Sequence, residues 1–333
     1  MMGWKQALFY EKLGDGQAKC TLCYRYCIIP EGQTGFCNAY INVEGDLYSI
    51  TYGRPVIVEA FGYGVLPFDR GDLLLAPIEK RLIVSTAFCN FRCRMCSNSK
   101  VAFREQPPPV HPYLKGFCCF NGADNDLLWA VEMSPEDIVS GALSLDCGAI
   151  RFAYNEPTVF FEYLLDIARL AKKAGLKVYI ETNGYITEKP IETVAPYVDC
   201  VVVSFKASGS NAFFDGIDVP HVLPRFETVR RFKQLGVWTV VYDLLVEGLD
   251  FPETVSSFCQ ELVRRFGEDQ RLLFGVAHAP GLKLVPPIEE RQKKFMWAYE
   301  CALQQGLHDV MFAETVPAGR LKKQNDEASI MEG

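Results

Sequence analysis

Cys89, Cys93 and Cys96 stand in the stretch "STAFCNFRCRMCSNSK" as C-x3-C-x2-C. Three thiols in one short loop suit metal ligation, yet a zinc site normally takes four ligands and this loop offers three. A second set lies upstream. "CTLCYRYCIIPEGQTGFC" holds Cys20, Cys23, Cys27 and Cys37, a local group of four opened by C-x2-C. Four such cysteines fit a structural zinc site or an auxiliary [4Fe-4S] cluster equally well, and spacing does not choose between them. The plainest reading is free thiols in a loop-rich lobe. Arg81, Arg92, Arg94 and Lys100 flank the three-cysteine loop. They read as solvated loop charges, or as a positive field for an anionic cluster or substrate. Cys118 and Cys119 in "FCCF" read as packing of an apolar turn, and Cys147, Cys200, Cys259 and Cys301 as single core residues.

The chain has 333 residues, 49% of them hydrophobic, with a formal net charge of −7. That length can bury a large core, so one big domain with a small extension is expected. An acidic chain lacks the basic footprint of a nucleic-acid binder. "MMGWKQALFYEKLGDG" has no basic start followed by an apolar run, and no stretch reaches the roughly 20 apolar residues of a membrane helix. The expectation is a cytoplasmic protein that uses neither nucleic acid nor membrane. Thirteen cysteines in such a chain argue for metal or redox chemistry over a disulfide framework.

The elements that must position these cysteines alternate from about residue 80. "RLIVSTAF" reads as a buried strand leading into the loop. Residues 101–133, with "QPPPVHP" and "GFCCFNGADND", have no clear period and read as an insertion. "SPEDIVSGALSLDCG" reads as a helix with Ser134 as N-cap and Pro135 at its first position. The strands "AIRFAYN", "LKVYIETNG", "DCVVVSFK", "VWTVVYDLLV" and "RLLFGVAH" then alternate with helical stretches, and "HDVMFAE" adds a last short strand. Apolar strands alternating with helices imply a parallel sheet covered by helices. The repeat fits a full or partial barrel of βα units, with a doubly wound open sheet as the alternative. No G-x-G-x-x-G follows the first strand to support a dinucleotide fold.

In either architecture ligands bind at the C-terminal ends of the strands. There the chain places Cys89, Cys93 and Cys96, then Asn155 and Glu156 of "YNEP", then Thr182 and Asn183 of "ETNG", then Ser204 and Lys206 of "SFK", which share one strand face, then His278. Singly, these read as a turn, rim charges and a structural histidine. Their order at successive strand ends argues for one site.

These residues resemble a known family. "CNFRCRMC" matches the C-x3-C-x2-C signature of the radical S-adenosylmethionine (radical SAM) superfamily. "YNEP" resembles its Gly-Gly-Glu region, and "ETNG" the Asp-Thr-Asn-Gly of pyruvate formate-lyase activating enzymes. The four-cysteine front, "EGDLYSITYG" and "APIEK" resemble the AmmeMemoRadiSam-type enzymes within that superfamily. The resemblance implies an α/β fold: a partial (β/α)6 radical SAM barrel over residues 72–315, interrupted by the 101–133 insertion. It places an N-terminal four-cysteine lobe before it (1–71) and a polar tail after it (316–333). It further implies that Cys89, Cys93 and Cys96 bind three irons of a [4Fe-4S] cluster, leaving the fourth to the amino and carboxylate groups of SAM. Reductive cleavage then yields methionine and a 5′-deoxyadenosyl radical that abstracts hydrogen from the substrate. By the same resemblance Glu156, with Asn155, holds the methionine ammonium. Thr182 and Asn183 contact the SAM carboxylate or ribose, Lys206 approaches the same ligand, and His278 bonds its ribose or carboxylate.

The chain departs from that pattern at Met95, where an aromatic residue is common. Glu181 and Ser204 replace two Asp that bind a monovalent cation in the activating enzymes, and "GLD" only loosely matches a Pro-Gly segment. The implied activity is radical SAM catalysis fed by an electron donor such as ferredoxin or flavodoxin. The substrate is a small molecule or cofactor precursor, with Memo- and AMMECR-type partner proteins. The alternative is a protein substrate, as in activation of a glycyl-radical enzyme. A zinc-stabilised scaffold is the remote reading. It explains neither the three-cysteine loop nor the strand-end residues.

Overall fold

The computed structural model describes residues 3–61, 80–93, 96–122, 128–210, 222–246, 250–276 and 288–312. Met95, His278, the Gly248–Leu249 part of "GLD", most of "APIEK", the 71/72 boundary and the 316–333 tail lie outside them.

Seven strands form the parallel heart of the molecule: β1 (Arg81–Ser85), β2 (Ala149–Phe152), β3 (Lys177–Thr182), β4 (Cys200–Lys206), β5 (Trp238–Leu245), β6 (Leu272–Val276) and β7 (Val310–Phe312). They hydrogen-bond in chain order, each parallel to the next. The sheet does not close: β1 and β7 are not paired to one another. It is the partial barrel expected, and the doubly wound order is excluded because the strands never reverse direction of addition. β1 and β6 are buried at every position, as strands covered on both faces must be.

Helices cover the outer face: α1 (Pro135–Ser144), α2 (Phe161–Lys173), α3 (Glu188–Val194), α4 (Leu223–Gln234), α5 (Pro252–Phe266) and α6 (Ile288–Gln304). Ser134 caps α1 in a capping box with Asp137, with Pro135 opening the helix, as its sequence dictates. Gly175, at φ +79°, closes the α2 turn in a conformation only glycine adopts without cost.

Two features add to the sequence reading. Strand 57–61, within the stretch assigned to the front lobe, pairs antiparallel with β1. Strand 120–121, from the 101–133 insertion, pairs antiparallel with strand 57–61, and strands 110–115 and 130–132 of that insertion pair with each other. The front lobe itself is two small antiparallel sheets, 5–6/46–49/40–43 and 10–12/18–20/28–29. A buried carboxylate docks it on the barrel. Glu162 of α2 accepts from the Leu8 amide at 2.9 Å and the Tyr40 hydroxyl at 2.7 Å. Burial pushes the Glu162 carboxyl up, and these two donors pull it back.

Candidate active site

The ends of β1, β2, β3 and β4, where chemistry was expected, surround one cavity of about 310 Å³. Cys89, Cys93 and Cys96 line one side. Asn155, Glu156, Thr182, Asn183, Ser204 and Lys206 line the rest, together with Arg151, Glu181 and Tyr242.

Glu156 organises it. The residue lies just beyond the end of β2 at Phe152, Pro157 holds its backbone extended, and its side chain caps the short 3-10 turn that follows. Its Oε1 accepts from the Thr158 amide (3.1 Å), the Thr158 hydroxyl (2.6 Å) and the Thr182 hydroxyl (2.7 Å). Its Oε2 accepts from the Asn183 amide at 2.7 Å. One carboxylate thus fixes the ends of β2 and β3 to each other. Burial raises its pKa, and the bonds from Thr158, Asn183 and Thr182 oppose that rise.

Asn155 faces the cysteine loop. Its Oδ1 accepts from the Ser85 hydroxyl at 2.9 Å, and its amide donates to the Phe88 carbonyl at 3.0 Å. Phe88, immediately before Cys89, has φ +82°, and Tyr154 has φ +71°. Left-handed backbone at bulky residues costs about 1–3 kcal/mol and is held only where surroundings over-determine it. The Asn155 bonds and the Asn98 amide on the Tyr154 carbonyl (2.9 Å) do that here. Asn183 makes the turn its Asn-Gly sequence demands: its Oδ1 accepts from the Tyr185 amide (3.0 Å), and Gly184 sits at φ +75°. Its side-chain amide reaches Asn90, between Cys89 and Cys93, at 2.7 Å.

Lys206 donates to the Ser204 hydroxyl at 2.8 Å, confirming that the two share a face of β4. Burial raises the Cys93 thiol pKa, while Lys206 and Arg225 pull it down. Cys89 is pushed up by burial and then by Glu156, and Cys96 by burial. Lys206 also pulls the Cys96 thiol down, so its charge faces both of these cysteines.

Arg151, Tyr242, Asn90 and Arg225 were not singled out from sequence. Arg151 of β2 forms an ion pair with Glu181 of β3 inside the cavity. Their alternation in register across β2 and β3 (Arg151 opposite Tyr179, two residues before Glu181) was the available signal. Tyr242 and Leu244 alternate inward on β5. Arg225 is fully buried, its guanidinium 5.3 Å from the Phe91 ring and 5.6 Å from that of Phe205. A buried arginine in a helix that reads as amphipathic carries no such signal.

The front cysteines pack against the same loop. Burial, with neighbouring cysteines adding to it, pushes the Cys23 thiol up to about 12, and burial pushes Cys37 up to about 11. Among the described residues, no three His, Cys, Asp or Glu side chains are arranged to hold a single metal ion, in either cysteine set. A four-iron cluster asks for something different: each thiolate takes its own iron, so the sulfurs stand apart around a shared space. Three thiols bordering a cavity opposite a carboxylate and an ammonium fit that requirement.

Comparison with known proteins gives three findings. The model of the radical SAM superfamily matches residues 83–250. The uncharacterized protein MJ0808 of Methanocaldococcus jannaschii is 31% identical over 307 residues, covering 91% of this chain and 83% of that protein. Among solved structures, Streptococcus suis SuiB bound to precursor peptide SuiA superposes with a TM-score of 0.50 at 13% identity. The match covers 71% of this chain and 48% of SuiB, so the chain spans about half the length of that structure. Among the described residues no helix is long and apolar enough to cross a membrane.

Proposed function

The chain belongs to the radical SAM superfamily, whose members use a [4Fe-4S] cluster and S-adenosylmethionine, and on that premise we propose that it abstracts hydrogen from a small polar molecule held in the barrel mouth. The carrying observation is the single cavity that Cys89, Cys93 and Cys96 share with Glu156, Asn183, Lys206 and the Arg151–Glu181 pair.

Cys89, Cys93 and Cys96 are the ligands of the cluster in this reading. A reduced [4Fe-4S] cluster held by these three thiolates would supply the one-electron reduction of bound SAM on which hydrogen abstraction from the substrate depends.

The chain's own residues bind and orient. Oε2 of Glu156 accepts one bond, from the Asn183 amide, and a carboxylate oxygen has room for another donor, such as the methionine ammonium. Lys206, aligned by Ser204, offers its remaining N–H donors to a carboxylate. Asn155 and Asn183 hold the cysteine loop and the strand-end turn in place, so the positions of the cluster ligands and of Glu156 are coupled. Arg151, Glu181 and Tyr242 lie on strands β2, β3 and β5, and supply charge of both signs and a hydroxyl. This lining suits a small substrate with polar groups of its own, and favours that class over a protein chain. Glu181 is already paired with Arg151, which leaves no free carboxylate there for the monovalent cation of the activating enzymes. A low-potential electron carrier of the ferredoxin or flavodoxin kind is the required partner.

Anaerobic reconstitution with iron and sulfide, followed by reductant and SAM, tests this. The wild-type chain should release 5′-deoxyadenosine. Cys93→Ala should release none while retaining its far-ultraviolet circular dichroism. Continued 5′-deoxyadenosine formation by Cys93→Ala would overturn the assignment of the loop.

A further inference from the structure

Three consecutive backbone carbonyls of the cysteine loop, those of Cys89, Asn90 and Phe91, accept from guanidinium groups. Arg92, within the loop, donates to the Cys89 carbonyl at 2.6 Å and to the Phe91 carbonyl at 3.0 Å. The carbonyl between them is taken from outside. Arg25 of the front lobe, 65 positions away in sequence, donates its Nε–H to the Asn90 carbonyl at 2.7 Å. A loop outside any helix or strand must satisfy its backbone polar groups in some such way. Arg25 is also held in aim. Its guanidinium lies 3.4 Å from the centre of the Phe36 ring. Arg92 anchors that same residue, 4.7 Å from its ring and donating to its carbonyl at 2.8 Å.

The peptide group that Arg25 engages has a second end. Its carbonyl belongs to Asn90 and its N–H to Phe91, and that N–H donates to Cys89 Sγ at 3.4 Å. A charged donor makes a stronger bond than a neutral one, and hydrogen bonds in a chain polarise one another. The bond from Arg25 is therefore passed through one amide to the sulfur of Cys89. Hydrogen bonds to its sulfurs help to set the reduction potential of an iron–sulfur cluster. The reduced cluster carries one more negative charge than the oxidised one, so a donor on sulfur favours the reduced state and raises the potential.

We propose that Arg25 is a positioning residue for the centre at Cys89, Cys93 and Cys96: by donating to the Asn90 carbonyl it aims and strengthens the Phe91 N–H on Cys89 Sγ, and so raises the reduction potential of the cluster held there. The front lobe thus tunes the barrel's chemistry through a side chain that touches neither the cavity nor a cluster ligand's sulfur. The inference rests on the reading above for the presence of that cluster. It asks nothing of the front four cysteines, whether they take zinc or iron.

The test is a redox titration of the anaerobically reconstituted full chain, read by electron paramagnetic resonance, for wild type, Arg25→Gln and Arg25→Met. The signal to follow is the one that added SAM alters, which marks the cluster with the open iron. Glutamine brings an amide N–H to the place of the arginine Nε without the charge. Methionine fills that place with a methyl group and offers neither charge nor donor. Both variants should match the wild-type iron content. The potential should become more negative from wild type to Arg25→Gln and more negative again in Arg25→Met. The second step isolates the hydrogen bond, because both replacement side chains are uncharged. Equal potentials in the two variants would overturn the proposal. So would lower iron content in Arg25→Met than in Arg25→Gln, which would make Arg25 a support of the loop's fold. Wild type with no SAM-sensitive signal would sink the proposed function as well, whereas a SAM-sensitive signal with equal potentials in the variants would sink this inference alone.

Discussion

Glu156→Gln is the most informative single substitution. The wild-type carboxylate accepts from four donors, two of them backbone amides on opposite oxygens: Thr158 on Oε1 and Asn183 on Oε2. Glutamine has one acceptor oxygen and one NH2 group. Whichever way it turns, the NH2 faces a backbone N–H. With its oxygen toward Thr158 and Thr182, the Asn183 amide is orphaned. Flipped, the Thr158 amide is orphaned, although the two hydroxyls can turn to accept. A buried N–H left without a partner costs about 1–3 kcal/mol, and the bonds that survive weaken because the charge is gone. Against this, removing a buried charge relieves the desolvation that pushes this carboxyl up. The net expectation is a loss of about 1–3 kcal/mol, measured by denaturant unfolding of the cofactor-free variant beside wild type. Iron content after reconstitution should stay at the wild-type level while SAM affinity falls, because the cysteine ligands are untouched and the carboxylate is not. Unchanged stability would show that the four bonds do not hold the strand ends together. Loss of iron would make Glu156 a support of the cluster loop instead of a ligand-binding group.

Three further outcomes follow from the geometry. Gly184→Ala places a Cβ 2.8 Å from Val203 Cγ1 at φ +75° and should cost about 2–4 kcal/mol by thermal or denaturant unfolding; a neutral result would mean the Asn-Gly turn is not left-handed. Tyr40→Phe removes the hydroxyl that donates to buried Glu162, should cost about 1.5–3 kcal/mol, and should make the front lobe the first site of limited proteolysis. Asp243 is fully buried, and burial first and Asp250 second raise its pKa. The folded state therefore holds a proton that the unfolded state has released, and this contribution to stability is lost as pH rises from the ordinary carboxylate value through the raised one. Asp243→Asn should flatten that part of the stability–pH profile, and a profile as steep as wild type would place the titration elsewhere.

Much of this was legible in the sequence because the relevant physics is local. The parallel strands announce themselves as apolar runs, Ser134-Pro135 as a helix start and Asn183-Gly184 as a turn. The cysteine loop and the strand-end polar residues follow from knowing where strands stop. What the sequence withheld is non-local. Strand 57–61 could be assigned to the barrel sheet only by knowing that it pairs with β1. Thr182 and Asn183 read as ligand contacts, yet their first partners are Glu156 and Asn90. Asn90 itself looks like a spacer between cysteines, and its place between the two cysteine sets depends on residues more than 60 positions away, as with Arg25. Arg151 and Glu181 are unremarkable as single residues and become a paired charge in the cavity only when β2 and β3 align.

The open sheet has a last consequence. A barrel that fails to close has two edges, and an exposed edge is a template for pairing with another chain. Here one edge is extended by strand 57–61, running opposite to β1, and then by the two-residue strand 120–121. The other ends in β7, three residues long and half-buried throughout. Both edges thus taper to short strands, a standard defence against strand addition. Among the described residues, neither end of the sheet therefore offers a second copy of the chain a long strand to pair with.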